Sequence, residues 1–474
     1  MSRTDAVQVP ATFTRALDAL RTEYSPSTLA IACSGGLDSM VLLDLAAGWC
    51  RAHSIALHAF HVHHGLSPNA DAWLAHVEEA AGKLGAGFDA RRVVVPQSGA
   101  GAGIEASARK LRYRALGDMC RAHGAGVLLT AHHLDDQAET VLLQLLRGSG
   151  PAGLSGMDAA NAAPELLGNP DLVMARPLLP LGRAQLEAQA EAAGLAWVED
   201  ESNGDLRYAR NALRHTVMPA LAQAFPGFQE RFARSAAHAQ SAQRLLVELA
   251  ASDLVASTVD GAIDCARLRS MSLDRACNML RHLFAVRGLA MPSTAWLLEM
   301  VTQLVEARHD AQLLVTHPAC HIRRHRDRLT ITPKLPELAG MRDPDDEGVL
   351  DKPGQAFAWR GEAQLAFPDY GGVLHVEPAD IGFDAAWLGA QALVIDFRKG
   401  GERLKLAPNR PTRGLKAHYQ AADVPAWERA RLPIVSLAGG KGDLLFAAGL
   451  GMDCAHFGAP PAALVALRWE ALAG

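Results

Sequence analysis

The stretch TLAIACSGGLDSMVLLDLAA (28–47) decides the fold of this chain. Its first part, TLAIACSGG, is an apolar run ending in glycines, the pattern of a parallel strand buried on both faces. Its second part, from Leu37, puts Met40, Leu43 and Ala47 on one helical face. A buried strand that feeds a helix through Ser-Gly-Gly-Leu-Asp-Ser reads as an anion cradle. Paired glycines let the backbone approach a ligand, and a helix N-terminus aims its amides at phosphate. Ser34 and Ser39 add hydroxyl donors. The lysine of a Walker A loop is missing and Asp38 stands in the loop, which suits a carboxylate that holds Mg²⁺ beside phosphates.

The same order repeats outward from this loop. SIALHAFHVHHG is a second strand, FDARRVVVP a third and AGVLLTAHH a fourth, each followed by a helical stretch. The last of these helices, LDDQAETVLLQLLRGSG, ends at Gly148, with Val141, Leu142, Leu145 and Leu146 expected in the core. Repeated β-α order predicts an α/β fold with a doubly wound parallel sheet. Ligands in such sheets sit at the carboxyl ends of the strands. There the chain carries SGGLDS, HVHHGLS and TAHHLDDQAET.

Composition narrows the class. A chain of 474 residues is too long for one core and predicts several domains. No apolar run reaches the roughly 20 residues of a membrane span, and MSRTDAVQVPATFTRALDAL has no signal-peptide core and reads as a helix. The seven cysteines are scattered without a C-x-x-C pair, as expected of free thiols in a reducing cytoplasm. A net charge of -5 does not mark a nucleic-acid binder, so any such role must rest on a local patch. The histidines at 61, 63, 64, 132 and 133 lack a cysteine or glutamate set with structural zinc spacing, and are read as lining a nucleotide pocket.

SGGLDS after a buried strand resembles the PP-loop of the ATP pyrophosphatase superfamily, which shares an adenine-nucleotide alpha-hydrolase-like fold. The motifs HVHHGLS (61–67), ARKLRY (108–113), AHHLDDQAET (131–140), RGSGPAGLSGM (147–157), RPLL (176–179), WVEDESN (197–203) and RNALRHTVMP (210–219) follow in series. Together they resemble the tRNA(Ile)-lysidine synthase family over residues 28–219. The likeness returns in LVIDFRKGGERLKLAP and in VPAWERARLPIVSLAGGKGDLLFAAGLGMD.

The resemblance implies ATP and Mg²⁺, free L-lysine and a tRNA(Ile) with a CAU anticodon. The implied reaction adenylates the wobble cytidine, joins lysine to its C2, and releases AMP and pyrophosphate. The codon read changes from AUG to AUA, and the identity from Met to Ile. Ser34, Gly35, Gly36, Leu37, Asp38 and Ser39 match the ATP loop, with His61 and His63 beside it. Asp38, also the Mg²⁺ carboxylate, and Arg112 are the implied catalytic pair. Arg109 stands second to Arg112, three residues before it on one helical face. Asp136 and Glu139 match the lysine-binding acids, but Asp-x-x-Glu at a helix start also fits a capping box. The attacking ε-amine must be neutral, and His133 and Asp136 are the candidate bases. A homodimer is compatible with the resemblance.

Residues 220–334 are expected to form a helical tRNA-binding domain after a catalytic domain over 1–219. ACHIRRHRDRL (319–329) holds four arginines, at 323, 324, 326 and 328, against Asp327. Residues 335–390 turn acidic and rich in Pro and Gly, as a connector does. A small α+β domain is expected over 391–474. Between Arg398 and Lys416 stand seven Lys/Arg against Glu402, the charge signature of an RNA-backbone surface. Arg398, Lys399, Arg403 and Lys405 are the expected tRNA contacts. Two rival readings remain. A tRNA thiolase of the same superfamily needs a reactive cysteine. A non-catalytic nucleotide-sensing RNA-binding protein has no use for intact Asp38, Arg112, Asp136 and Glu139.

Overall fold

The computed structural model describes residues 3–65, 67–94, 102–199, 207, 209–306, 313–325, 327–334, 354–439, 443–459 and 461–472. The chain divides into two compact units, 1–249 and 250–474.

The first unit is built on six strands: β1 (Thr28–Ala32), β2 (Ala56–His63), β3 (Gly87–Arg92), β4 (Val127–Leu129), β5 (Ala160–Ala162) and β6 (Val173–Ala175). Their order is β3-β2-β1-β4-β6-β5. All neighbours run parallel except β5, which pairs antiparallel with β6 at the edge. The doubly wound parallel sheet is therefore present, with β5 and β6 beyond the four strands expected. At three residues each, both are too short to show a pattern of alternation. Strand order reverses at β1, whose neighbours β2 and β4 lie on either side, the position at whose carboxyl ends ligand crevices form in such sheets.

Helices cover both faces. In α1 (Arg3–Tyr24), Val9, Phe13, Leu17 and Leu20 are buried at helical spacing. In α2 (Leu37–His53), Met40, Leu43 and Ala47 are buried as expected. Trp49 of α2 donates its indole N–H to Asp18 of α1 at 3.0 Å. The next helices are α3 (Ala70–Leu84), α4 (Ala102–Ala122) and α5 (Leu134–Leu146). The end of α5 departs from expectation. Val141 is buried, but Leu145 and Leu146 are 58% and 68% exposed, because the last turn projects past the packed part of the helix.

The second unit is less helical than its sequence suggests. Helices Cys265–Ser270, Leu273–Val286 and Thr294–Glu306 are joined by a five-stranded antiparallel sheet that includes Leu313–Thr316, Cys320–His325 and Arg328–Pro333. The arginine cluster falls on this sheet. Strand alternation turns Ile322 and Arg324 inward. Arg324 is fully buried, donating to the Leu304 carbonyl at 3.0 Å and to Asp327 at 3.1 Å, so it supports the fold and faces no RNA. Arg326 lies outside the described residues.

The expected connector also needs correcting. Residues 335–353 lie outside the described residues, but 354–390 are folded. Gln355–Phe357 pairs with Leu393–Asp396. Gln364–Phe367 pairs with Gly372–Asp384, which pairs with the C-terminal strand Leu464–Ala471. Phe367, Tyr370, Leu374, Val376 and Phe383 enter the core. Here Pro368 and Gly371 mark the turn between two strands, while Pro378 and Gly382 lie within the 13-residue strand Gly372–Asp384, where its pairing register shifts.

A close approach in the first unit gives a test. A Cβ at Gly117 of α4 would lie 1.9 Å from the carbonyl oxygen of Leu167. Gly117→Ala is expected to force the two backbones apart at a cost of about 1–3 kcal/mol. Urea unfolding should show a lower midpoint at an unchanged slope, and an unchanged midpoint would contradict this packing.

Candidate active site

The site grows from the carboxyl ends of β1 and β4. After β1 the chain turns through Gly35 at φ +90°, a conformation that favours glycine. A Cβ there would also press on Val198 Cγ2 at 3.0 Å. Ser39 braces the turn: its hydroxyl donates to the Gly36 carbonyl at 2.9 Å and accepts from the Gly35 amide at 3.2 Å. Ser34 Oγ lies 3.3 Å from Ser39 Oγ. Gly36 is the N-cap of α2 and supplies no side-chain cap, so the first-turn amides at Leu37 and Asp38 stay available to an anion.

Asp38 leaves the first turn of α2 toward the start of α5. Its Oδ2 accepts from Arg183 Nη1 at 3.0 Å and lies 3.6 Å from His133 Nε2. Its Oδ1 is buried with no hydrogen-bond partner among the described residues. Burial opposes the charge on Asp38, but His133 and Arg183 outweigh it and hold the carboxyl below its ordinary range. One spare carboxylate oxygen fits a cation that takes its remaining ligands from ATP phosphates and water. Among the described residues no group of three or more ligating side chains forms a protein-only metal cage.

His133 and His132 follow β4 and are driven apart. The His133 ring lies within 3.7 Å of Asp38, Asp135 and Asp136. Burial works against its charge, yet these carboxylates raise it to about 10. It is an imidazolium at neutral pH and cannot serve there as a base, contrary to one expectation. His132 is pushed by burial down to about 3, against the pull of Asp136, with Arg176, Arg109 and Arg112 pushing the same way. The three guanidinium groups thus gather around a neutral imidazole. Arg112 stacks near the buried ring of Tyr113 at 5.2 Å and makes no hydrogen bond or ion pair among the described residues. Its donors are available to an anion.

The other two strand-end histidines have structural partners. His61 Nδ1 meets the Cys33 carbonyl at 2.9 Å, tying β2 to β1 behind the loop. His63 Nε2 lies 3.2 Å from Asp71 and 3.4 Å from Arg92. Each therefore has one ring nitrogen engaged by the protein. Cys33 is 2% exposed and its thiol is raised by burial, the opposite of a reactive sulfur.

The acids of α5 separate into two roles. The N-cap is His133, so Asp136 is the residue that caps, its Oδ2 accepting from the His133 amide at 3.1 Å. Glu139 lies one turn deeper and takes no part in the cap. Both acids meet Arg214 of RNALRHTVMP. Arg214 Nε donates to Glu139 Oε1 at 2.7 Å, and Nη2 donates to Glu139 Oε2 at 3.0 Å and Asp136 Oδ1 at 3.1 Å. Arg210 donates to Thr140 Oγ1 at 3.0 Å. Burial pushes Glu139 up, and Arg214 pulls it back toward the ionised form. Arg183 and Arg214 were not singled out from the sequence. Arg183 sits in an unremarkable helical stretch and Arg214 within the quoted motif RNALRHTVMP, and only the fold brings them to the acids.

In the second unit, Arg403–Leu404 pairs with Arg413–Gly414 and brings two arginines of the basic stretch together. Arg398 lies 5.4 Å from the Tyr419 ring, Lys399 pairs with Asp396 at 2.8 Å, and Arg403 donates to the Thr412 carbonyl at 2.9 Å. The Lys405 amide is bonded to Asp453 at 3.1 Å.

Family models match three parts of the chain: a PP-loop domain over 9–221, a TilS substrate binding domain over 263–330 and a TilS substrate C-terminal domain over 393–469. The chain is 47% identical over 422 residues to the tRNA(Ile)-lysidine synthase of Burkholderia pseudomallei (strain K96243), covering 85% of each chain. It is 43% identical over 429 residues to the synthase of Ralstonia nicotianae, covering 90% of this chain and 89% of the relative. The synthase of Alkalilimnicola ehrlichii is 41% identical over 426 residues, covering 87% and 91%.

The His133 cluster makes a pH test possible. Its folded value of about 10 lies above the unfolded value of about 6.5. The stability it contributes is therefore complete below pH ~6.5 and is lost as pH rises toward 10. His133→Asn should be less stable than the parent at pH 6, and the gap in melting temperature should close as pH approaches 10. A gap independent of pH would mean that His133 is neutral in the fold.

Proposed function

The chain belongs to the tRNA(Ile)-lysidine synthase family, and we propose that it runs the family reaction through two linked ends of the crevice at β1 and β4. It is an ATP-using ligase that forms a C–N bond, joining lysine to a cytidine of tRNA(Ile) as lysidine. The observation that carries the two-ended reading is the contrast between the groups placed there. The β1 end offers uncapped helix amides, Ser34, Ser39 and a spare Asp38 oxygen, all suited to phosphates. The α5 end offers the acids Asp136 and Glu139, suited to a cationic amino group.

At the first end, residues 34–39 hold the ATP phosphates, and Asp38 would hold Mg²⁺ bound with the nucleotide. Bound Mg²⁺ would neutralise charge on the phosphates during transfer. Arg112, with its donors unspent, is placed to stabilise charge developing on the α-phosphate. The C2 oxygen of the wobble cytidine of a CAU anticodon attacks that phosphorus, and pyrophosphate leaves. At the second end, free L-lysine is held by Asp136 and Glu139. The lone pair of its neutral ε-amine forms the N–C2 bond, the C2–O bond breaks, AMP leaves with the electron pair, and the amine gives up a proton. The basic stretch 398–416 supplies tRNA contacts. A cytoplasmic setting agrees with seven cysteines that are all free.

The direct test is isoleucine tRNA incubated with labelled lysine, with and without ATP. ATP-dependent label on the tRNA, with AMP and pyrophosphate released, is expected. Label without ATP, or none at all, would overturn the assignment. Glu139→Gln keeps the shape of the side chain and removes its charge. Glu139 takes no part in the cap, but its charge pairs with Arg214, so the melting temperature should fall and lysine KM is measured well below it. KM for lysine should rise about ten-fold or more, since a charge-assisted contact contributes roughly 1.5–3 kcal/mol. KM for ATP should stay as it was. An unchanged lysine KM would remove Glu139 from substrate binding. Reversing Arg398, Lys399, Arg403 and Lys405 to Glu should weaken tRNA binding and flatten its salt dependence, because fewer counterions are released. Equal affinity at low salt would place the RNA surface elsewhere.

A further inference from the structure

A cavity of about 260 Å³ opens beside the basic stretch of the second unit. Its floor comes from three paired strands. Val394 stands opposite Ser436, and Ser436 opposite Leu444, so the three side chains form a row on one face. The other face, with Leu393, Ile395 and Val435, is packed into the core. One wall is the loop that leaves the strand Leu393–Asp396 and turns through Gly400 and Gly401, both at positive φ.

Two acids line this cavity, and they are engaged differently. Asp396 is spent: one oxygen accepts from the Phe397 amide at 2.8 Å and the other pairs with Lys399 at 2.8 Å. Glu402 keeps an oxygen in reserve. Its Oε1 accepts from the amides of Lys399 and Gly400, the latter at 2.9 Å, which fixes the carboxylate in place. Its Oε2 is buried and has no hydrogen-bond partner among the described residues. A buried carboxylate oxygen without a donor is costly, and it marks a place where a ligand's N–H belongs. Arg398 carries a second such atom, a buried Nε without a partner among the described residues, and Arg403 and Arg413 are brought together on the same stretch.

These features call for a flat group with an apolar face, an N–H edge and a phosphate. A nucleotide of RNA offers all three. Its edge must be unpaired, because a duplex uses the same donors for base pairing. Carboxylates accept from exocyclic amines such as cytosine N4, and adenine N6 is a donor of the same kind. Uracil offers one N–H between two carbonyl oxygens, which a carboxylate repels. On the reading that the basic stretch 398–416 binds tRNA, we propose that the cavity takes one unpaired, amino-bearing base of the RNA, with Glu402 Oε2 accepting from its amine and the neighbouring arginines holding its phosphates. Phosphate contacts give this surface affinity, and the cavity adds sequence information to it.

The test measures binding of short adenylate and uridylate oligomers to the full chain by fluorescence anisotropy. The quantity read is the ratio of the two affinities, because phosphate contacts and any base contact in the catalytic crevice are common to parent and variants. The parent should bind the adenylate oligomer about ten-fold more tightly, as one charge-assisted hydrogen bond allows. In Glu402→Gln the side-chain carbonyl stays on the two amides and the NH₂ group replaces Oε2. A donor then stands where the acceptor was, and the ratio should fall to about one. Ser436→Phe fills the cavity without touching the carboxylate and should do the same. Equal affinities in the parent would overturn the base pocket without requiring any variant to fold. So would a ratio that survives both variants, which places the preference elsewhere. AMP bound as tightly as the oligomer, and weakened equally by Glu402→Gln, would assign the cavity to a free mononucleotide and overturn the RNA ligand. Reversing the four basic residues to Glu separates this from failure of the surface reading itself. If tRNA affinity is then unchanged, the stretch is not an RNA surface at all. If it weakens while the parent's ratio is one, only the base pocket falls.

Discussion

The site depends on one buried charge, the imidazolium of His133 among Asp38, Asp135 and Asp136. Three carboxylates converge from the ends of two helices, and without a cation between them they would repel one another in a poorly solvated crevice. Arg183 extends the arrangement, its backbone amide donating to Asp135 at 2.8 Å and its guanidinium to Asp38 at 3.0 Å. The phosphate-facing loop after β1 and the acid-bearing helix after β4 are thereby locked to one another. The switch point of the parallel sheet sets those two ends side by side.

On the proposed function, that lock also accounts for two kinds of ligand at neighbouring positions. His133 and His132 are adjacent in sequence and differ in charge, one held cationic by carboxylates and one kept neutral by burial and arginines. The neutral side, with Arg109, Arg112 and Arg176, suits an anionic phosphate. The acids beyond His133 suit an amine. A nucleotide and an amino acid can thus be recognised a few residues apart without competing for the same groups.

Legibility in the sequence followed the range of the interaction. The strand-to-helix turn at 34–39 and the helix start carrying Asp136 and Glu139 are local patterns, and such turns and helix starts are legible in the sequence. The cations that complete the site come from far away, Arg183 145 residues from Asp38 and Arg214 75 residues from Glu139. Nothing in the spacing announces such pairs. Arg324 shows the same limit in reverse. Counted as surface charge, it is buried because strand alternation turns it inward beside Ile322. The strands within 354–390 were hidden for another reason: Pro and Gly occur both in the turn at 368–371 and inside the strand Gly372–Asp384, and composition alone makes that look like a linker. Leu145 and Leu146 fit a helical pattern but lie past the point where α5 has a packing partner.

The central claim is that the two ends act in sequence, phosphate chemistry first and amine transfer second. Its most direct test uses isoleucine tRNA and ATP labelled in the α-phosphate, with lysine withheld. The account predicts that label accumulates on the tRNA, one adenylate per molecule, and is released as AMP when lysine is added. Label that never enters tRNA without lysine, or AMP released while the tRNA stays unmodified, would contradict it.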